Sequence, residues 1–140
     1  IELFNKNETF NMESWAAWVL REEANLVPGA KEYIDLVREK GLQLIFISNR
    51  MHERLEATKN NLKNLGIFSE NDIYLLRLDR ADKKYIRRDE VYNGTGRMKQ
   101  FGQYEVLQYL GDAMGDFPND DAKRFGKDQF VFPNPMYGKW

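Results

Sequence analysis

The stretch "LGDAMGDFPND", residues 110–120, sets Asp112 and Asp116 four apart, each behind a glycine, directly after the apolar run "YEVLQYL". Two carboxylates at the mouth of a strand have two readings. Gly and Asp are common turn formers, so the string reads as a turn. It reads equally as a cation site, with both carboxylates reaching one hard ion. Two more polar clusters bear on the choice: Ser48, Asn49 and Arg50 follow the apolar run "LQLIFI", and "DRADKK", with Lys83 and Lys84, follows "DIYLLRL". Taken singly, Ser48 and Asn49 read as a turn or helix cap and Lys83 as a solvated lysine. Together they are the parts that hold a phosphate beside Mg²⁺: donors for the nonbridging oxygens, a cation for their charge, and carboxylates for the metal.

The elements that must position these residues follow from spacing. "NMESWAAWVLREEA" places Trp15, Trp18 and Val19 on one face of a first helix. "VPGAKEYIDLVREKG" carries Ala30, Ile34 and Val37 on one face, between Pro28 at its start and Gly41 at its stop. "LQLIFI", residues 42–47, is nearly continuous and β-rich, as expected of a parallel strand covered on both faces. A third helix runs through "HERLEATKNNLKNLG", with Leu55, Leu62 and Leu65 inward. "DIYLLRL", "EVLQYL" and "QFVF" read as further strands, and residues 79–103, which include "NGTGR", as a helix plus a loop. Helices alternating with strands predict an α/β fold, Rossmann-like, with a mostly parallel sheet flanked by helices. In such sheets ligands bind where loops leave the carboxyl ends of the strands, where all three polar clusters fall.

The 140 residues, 42% hydrophobic and 31% charged, suit a single domain over residues 1–140. With 21 Lys and Arg against 22 Asp and Glu, the net charge of −1 carries no footprint for a nucleic-acid polymer or an anionic membrane. The absence of cysteine excludes disulfides and thiolate metal sites and fits either redox compartment. No apolar stretch approaches the roughly 20 residues of a transmembrane segment. The first residues, "IELFNKNETF", carry neither an initiator Met nor a signal-peptide pattern, so a start that is not native is expected.

The chain resembles the haloacid dehalogenase (HAD) superfamily, and within it the class C acid phosphatases, also called the lipoprotein 5′-nucleotidase family. The resemblance runs nearly end to end. "LIFISNR" is similar to the family's second motif, "LLRLDRADKKYIRR" to its third, and "YLGDAMGDF" to its fourth; "FVFPNPMYGKW" is similar to its closing strand and PNxxYGxW tail. The resemblance implies Mg²⁺-dependent hydrolysis of small phosphomonoesters, nucleoside monophosphates among them, through an aspartyl-phosphate intermediate. It implies that Ser48, with Asn49 and Arg50, holds the phosphoryl group, and that Lys83, or its neighbour Lys84, neutralises its charge. Asp112 then ligates Mg²⁺, and Asp116 supports the metal shell or positions the lysine. A cell-envelope or secreted location is implied in the same way.

The family's first motif, DxDxT, supplies the nucleophile, and no two aspartates stand two apart anywhere in these 140 residues. The expected reading is a phosphatase fragment that lacks its first strand. The alternative is a noncatalytic phosphate-binding or storage protein on the same fold, for which the plant vegetative storage proteins are the precedent. Among the aromatics, Trp15 and Trp18 read as core, while Tyr137, in a loop after a strand, is the candidate for stacking a nucleobase. His52, the single histidine, reads as exposed, and the basic run Arg87 and Arg88 as a solvated face, with a phosphate-facing role as the alternative.

Overall fold

The computed structural model describes residues 11–118 and 121–132, which fall into two compact units divided between Arg80 and Ala81. The first unit opens with α1, Met12–Leu20. Its N-cap Asn11 accepts the Ser14 backbone N–H on its side-chain oxygen at 2.7 Å, a bond whose loss typically costs about 1 kcal/mol. Helix α2, Ala30–Glu39, buries Ile34 and Val37, three residues apart on its inner face, as the spacing predicts. Strand β1, Ile45–Met51, leads through a short 3₁₀ turn, His52–Arg54, into α3, Leu55–Asn64, and on to β2, Ile73–Arg77. The two strands pair in parallel, from Ile45 opposite Ile73 to Ser48 opposite Leu76, with α3 as the crossover. Ile73, Leu75 and Leu76 of β2 are buried, and so is Ile67 just after α3.

Two features of this unit depart from the sequence reading. The strand begins at Ile45 rather than residue 42 and runs on through Ser48, Asn49 and Arg50. Residues 42–44 belong to the connection: the Leu42 N–H closes the end of α2 on the Val37 carbonyl, and Gln43 donates to the Leu44 and Asn71 carbonyls. Strand β1 is half-buried along most of its length instead of fully covered, with β2 as its one partner among the described residues. The inward face of α3 is also more polar than its leucines suggest. Leu55, Leu62 and Leu65 are half-buried, whereas Asn61 is 3% exposed. Its amide exchanges two hydrogen bonds of 3.0 Å with the backbone N–H and carbonyl of Ala24, which satisfies a buried polar group and ties the chain after α1 to the crossover helix.

The second unit holds α4, Lys84–Asn93, a 3₁₀ turn at Gly96–Gln100, strand β3, Tyr109–Gly111, a second 3₁₀ turn at Met114–Asp116, and strand β4, Gln129–Val131. Strands β3 and β4 are parallel, Tyr109 opposite Gln129 and Gly111 opposite Val131. Of the "EVLQYL" run only the end is strand. Leu107 and Leu110 are 54% and 44% exposed and Val106 is half-buried, so the run lacks the continuous burial of an inner strand. The core is Val91, Met98 and Phe117, with the Phe117 and Phe125 rings edge-on at 5.2 Å. Arg87 and Arg88 are buried with them, at 0% and 8% exposure, and are not the solvated face that their charge suggests. No described helix is long and apolar enough to cross a membrane.

Candidate active site

In the first unit the pairing register slips between Ser48 and Met51, so that Asn49 and Arg50 form an irregularity near the carboxyl end of β1. A bulge of this kind re-aims side chains at the end of a strand. The Arg50 backbone N–H donates to the Ser48 hydroxyl oxygen at 3.2 Å. The Arg50 guanidinium donates to Thr58 Oγ1 at 3.3 Å and lies 5.6 Å from the Trp18 ring centre, a cation–π contact that fixes its heading. Trp18 is in turn stacked on Trp15 at 5.1 Å, in keeping with a packing role for both. Ser48 and Arg50 also border a cavity of about 200 Å³ whose other walls include Phe46, Leu62, Leu65 and Leu76. Asn49 is exposed, and so is His52.

In the second unit Lys84, the first residue of α4, places its ammonium on the Asp116 carboxylate. The other oxygen of that carboxylate accepts the backbone N–H groups of Asp112 and Ala113 at 3.0 and 3.1 Å. Asp116 therefore closes the loop on itself and holds the lysine. The close approach depends on Gly111: a Cβ there would fall 2.5 Å from Asp116 Cβ and 2.6 Å from Oδ2, closer than nonbonded atoms tolerate. Arg88, one turn after Lys84, donates to the Gly115 carbonyl at 3.0 Å. Nearby, burial and the Tyr92 hydroxyl 2.6 Å away push the Tyr109 phenol well above the usual tyrosine range.

A buried ionic clasp sits at the start of α4. Asp82 forms an ion pair with Arg87, whose Nε lies 3.2 Å from Oδ1 without donating a hydrogen bond there, and accepts Arg97 Nη1 at 2.9 Å; Arg97 also donates to Glu90 at 2.8 and 3.1 Å. Burial by itself lowers the Arg97 pKa, but the hydrogen bonds to Glu90 and Asp82 outweigh it and raise the guanidinium above the usual arginine range. The "NGTGR" string makes the clasp reachable: Gly96, at φ +53°, has no Cβ, and one built there would lie 2.7 Å from Glu90 Cδ. The clasp fixes residue 82 two positions before Lys84.

The structure thus brings Lys84 and Asp116 together and sets Asp112 at the head of the same loop. Lys83, adjacent to Lys84, is the exposed N-cap of α4 and not the residue on Asp116. Tyr137 lies outside the described residues. Asp82 and Arg97 carry no sequence signal that makes them parts of this region, and Arg88 reads there first as a solvated residue. The one signal that points to Arg88 is its spacing of four from Lys84, which puts both on one helix face.

Among the described residues no three His, Asp or Glu side chains gather into a metal-binding group, and Asp116 is committed to Lys84 and to backbone N–H groups. Mg²⁺ is commonly held by one or two carboxylates, with water and phosphate oxygens completing its shell. The described residues fit that pattern with one carboxylate, Asp112, and form no complete cage.

The profile of the HAD superfamily, subfamily IIIB (acid phosphatase), matches residues 2–140. The class C acid phosphatase from Bacillus anthracis superimposes with a TM-score of 0.76 at 27% identity, covering 95% of this chain and 58% of that one. A crystal structure of class C acid phosphatase from Bacillus anthracis with tungstate bound superimposes with a TM-score of 0.74 at 27% identity, covering 95% of this chain and 59% of that one. Two curated plant relatives are similar over 132 residues at 26% identity: the stem 31 kDa glycoprotein of Glycine max and vegetative storage protein 1 of Arabidopsis thaliana. They cover 93% and 92% of this chain, which spans about half their length, 49% and 46%. A profile match across nearly the whole sequence, on an α/β fold with parallel strands shared with class C acid phosphatases, establishes that the chain belongs to subfamily IIIB of the HAD superfamily, the acid phosphatase subfamily.

Proposed function

We propose that the whole protein hydrolyses small phosphomonoesters and that this chain supplies residues that hold the phosphoryl group and balance its charge. The observation that carries the reading is the Lys84–Asp116 pair at the carboxyl end of β3. An ammonium has three N–H donors. With one directed at Asp116, the others are presented to an anion without the entropy cost of ordering a free lysine. Ser48, its oxygen held by the Arg50 N–H, is assigned as a hydroxyl donor to a phosphoryl oxygen, with Asn49 beside it. Arg50 itself, committed to Thr58 and Trp18, orients this strand end more than it contacts substrate. Asp112 is assigned as one ligand of Mg²⁺, which when bound would polarise the phosphoryl oxygens as a Lewis acid. The nucleophile of an aspartyl-phosphate route is assigned to no residue here, because no two aspartates stand two apart in the sequence. Tungstate, seen with a class C acid phosphatase, is a tetrahedral oxyanion like phosphate and supports the reading. Nucleoside monophosphates as substrates, and a cell-envelope or secreted location, belong to the proposal on the family resemblance.

A second reading has its own support: the curated relatives include a vegetative storage protein. On that reading the oxyanion is bound and not turned over. One experiment separates the two. The full-length protein and its Lys84→Met variant are assayed with p-nitrophenyl phosphate and Mg²⁺ at mildly acid pH, with tungstate binding followed by calorimetry. The phosphatase reading expects turnover that falls by about 100-fold or more in the variant, the scale of losing one charge-stabilising group. Tungstate binding without turnover favours the storage reading. Neither binding nor turnover would remove both.

A further inference from the structure

We infer that Arg88 is a positioning residue, which holds the Asp112–Asp116 loop against α4 so that Lys84 and Asp116 stay paired. Lys84 and Arg88 are four apart on α4 and therefore share a face. Both engage the same loop, Lys84 through the Asp116 carboxylate and Arg88 through the carbonyl of the preceding residue, Gly115, at 3.0 Å. Arg88 is 8% exposed, and among the described residues its guanidinium has no carboxylate partner. Burying a guanidinium on a neutral acceptor is unfavourable compared with leaving it in water or pairing it with an acid. The Asp116 carboxylate, in the loop that Arg88 grips, is held by the lysine instead. The division has a mechanical effect. Lys84 alone would grip the loop at one flexible side chain, about which the 3₁₀ turn Met114–Asp116 could swing. A second grip on the adjacent peptide fixes that turn's orientation, and with it the direction in which Asp116 presents the ammonium. Arg87, the neighbouring arginine, does the complementary work at the other end of the pair by holding Asp82 and so the start of α4.

The role in phosphate chemistry rests on the phosphatase reading above, whereas the brace itself does not, and the test keeps the two apart. The first measurement is the ¹⁵Nζ resonance of Lys84, assigned by its loss in Lys84→Arg, recorded for wild type, Arg88→Met, Arg88→Lys and the control Arg124→Met, at temperatures where circular dichroism shows each variant folded. The brace predicts a protected Lys84 ammonium signal in wild type and the control. The signal broadens into water exchange in Arg88→Met and recovers in part in Arg88→Lys, whose single ammonium can still donate to Gly115. A merely structural role would lower the melting temperature of Arg88→Met and leave the signal of the folded variant in place, and that outcome overturns the inference. The second measurement is a double-mutant cycle on kcat with p-nitrophenyl phosphate: Arg88→Met is expected to cost 10-fold or more in the wild type and nothing further in a Lys84→Met background. Additive losses would overturn the positioning role. If the wild type shows no turnover while the Lys84 signal responds as described, the phosphatase reading falls and the brace stands.

Discussion

Around Ser48 the contacts include a backbone N–H on a hydroxyl, a guanidinium on Thr58 and over Trp18, and Asn61 closing its amide on Ala24. Around Asp116 they are ionic, with Lys84 on the carboxylate, Arg88 on the loop, and Asp82 clasped between Arg87 and Arg97. The two regions are held by different means, and their failure modes should differ. A neutral contact that is removed leaves an amide unsatisfied, at about 1–3 kcal/mol. A buried ion pair that loses one partner leaves a charge in a low-dielectric setting, at about 3–5 kcal/mol.

The largest expected effect tests that difference directly. Asp82→Ala strips the carboxylate from the fully buried Arg87 guanidinium and from Arg97, and should destabilise by about 3–5 kcal/mol. Asn61→Ala, at a site equally enclosed, should cost about 1–3 kcal/mol. Urea denaturation of the two variants beside wild type gives both numbers. Equal losses would mean that charge confers no special fragility on the Asp116 region.

The next effect is steric and confined to one loop. Gly111→Ala forces a Cβ to within 2.5 Å of Asp116 Cβ, whereas at Gly115, four residues on, an added Cβ meets nothing within 4 Å. Overpacking of this sort costs about 1–3 kcal/mol, and relief is expected by displacement of Asp116 from Lys84. Gly111→Ala should therefore lose both stability and tungstate affinity, and Gly115→Ala neither. Calorimetry on the two variants checks this. A Gly111→Ala protein that keeps full affinity would show that the loop tolerates a shift without moving the pair.

The same contrast explains what was legible in the sequence. Helices α1, α2 and α3 announce themselves, because apolar residues at helical spacing need no long-range partner to be recognised, and Val19, Ile34 and Val37 are buried as their spacing requires. The fourth-motif loop was legible through its glycines and aspartates, and the structure gives the reason for the first glycine in the missing space at Gly111. The ionic parts were not. A charged residue reads as solvated unless its partner is known, and the partners of Arg87 and Arg97 are set by tertiary packing. The adjacent lysines show the limit at finer scale. Consecutive helical residues point about 100° apart, so whether Lys83 or Lys84 faces the loop depends on where α4 starts, a boundary that the string "DRADKKYIRR" does not fix. The extent of β1 failed for a related reason, since the slip that carries the strand through Asn49 and Arg50 is a property of its pairing with β2.

The smallest expected effect separates buried from exposed charge within the second unit. Arg124 and Asp128 form an ion pair about one third exposed, with side-chain exposures of 34% and 32%. Its hydrogen bonds from Arg124 hold the Asp128 carboxyl below the usual aspartate range, the Arg124 charge adding to them, while burial opposes. The sign follows from linkage. A carboxyl with a depressed folded-state pKa binds its proton less readily when folded, so its stabilisation is present above the unfolded pKa of about 4 and is lost as pH falls through the folded value. Asp128→Asn should then melt slightly below wild type at about pH 7, converge with it in the acid range below about pH 4, and lose much of the difference at about 1 M salt, because exposed pairs are screened. Thermal melts across that range supply the comparison. Asp82→Asn, at a clasp enclosed by protein, should keep most of its deficit at the same salt concentration, since ions do not reach buried charges. If salt erased both deficits alike, the clasp would be behaving as a surface pair, and the contrast between amide and buried ionic contacts would fail at its most charged point.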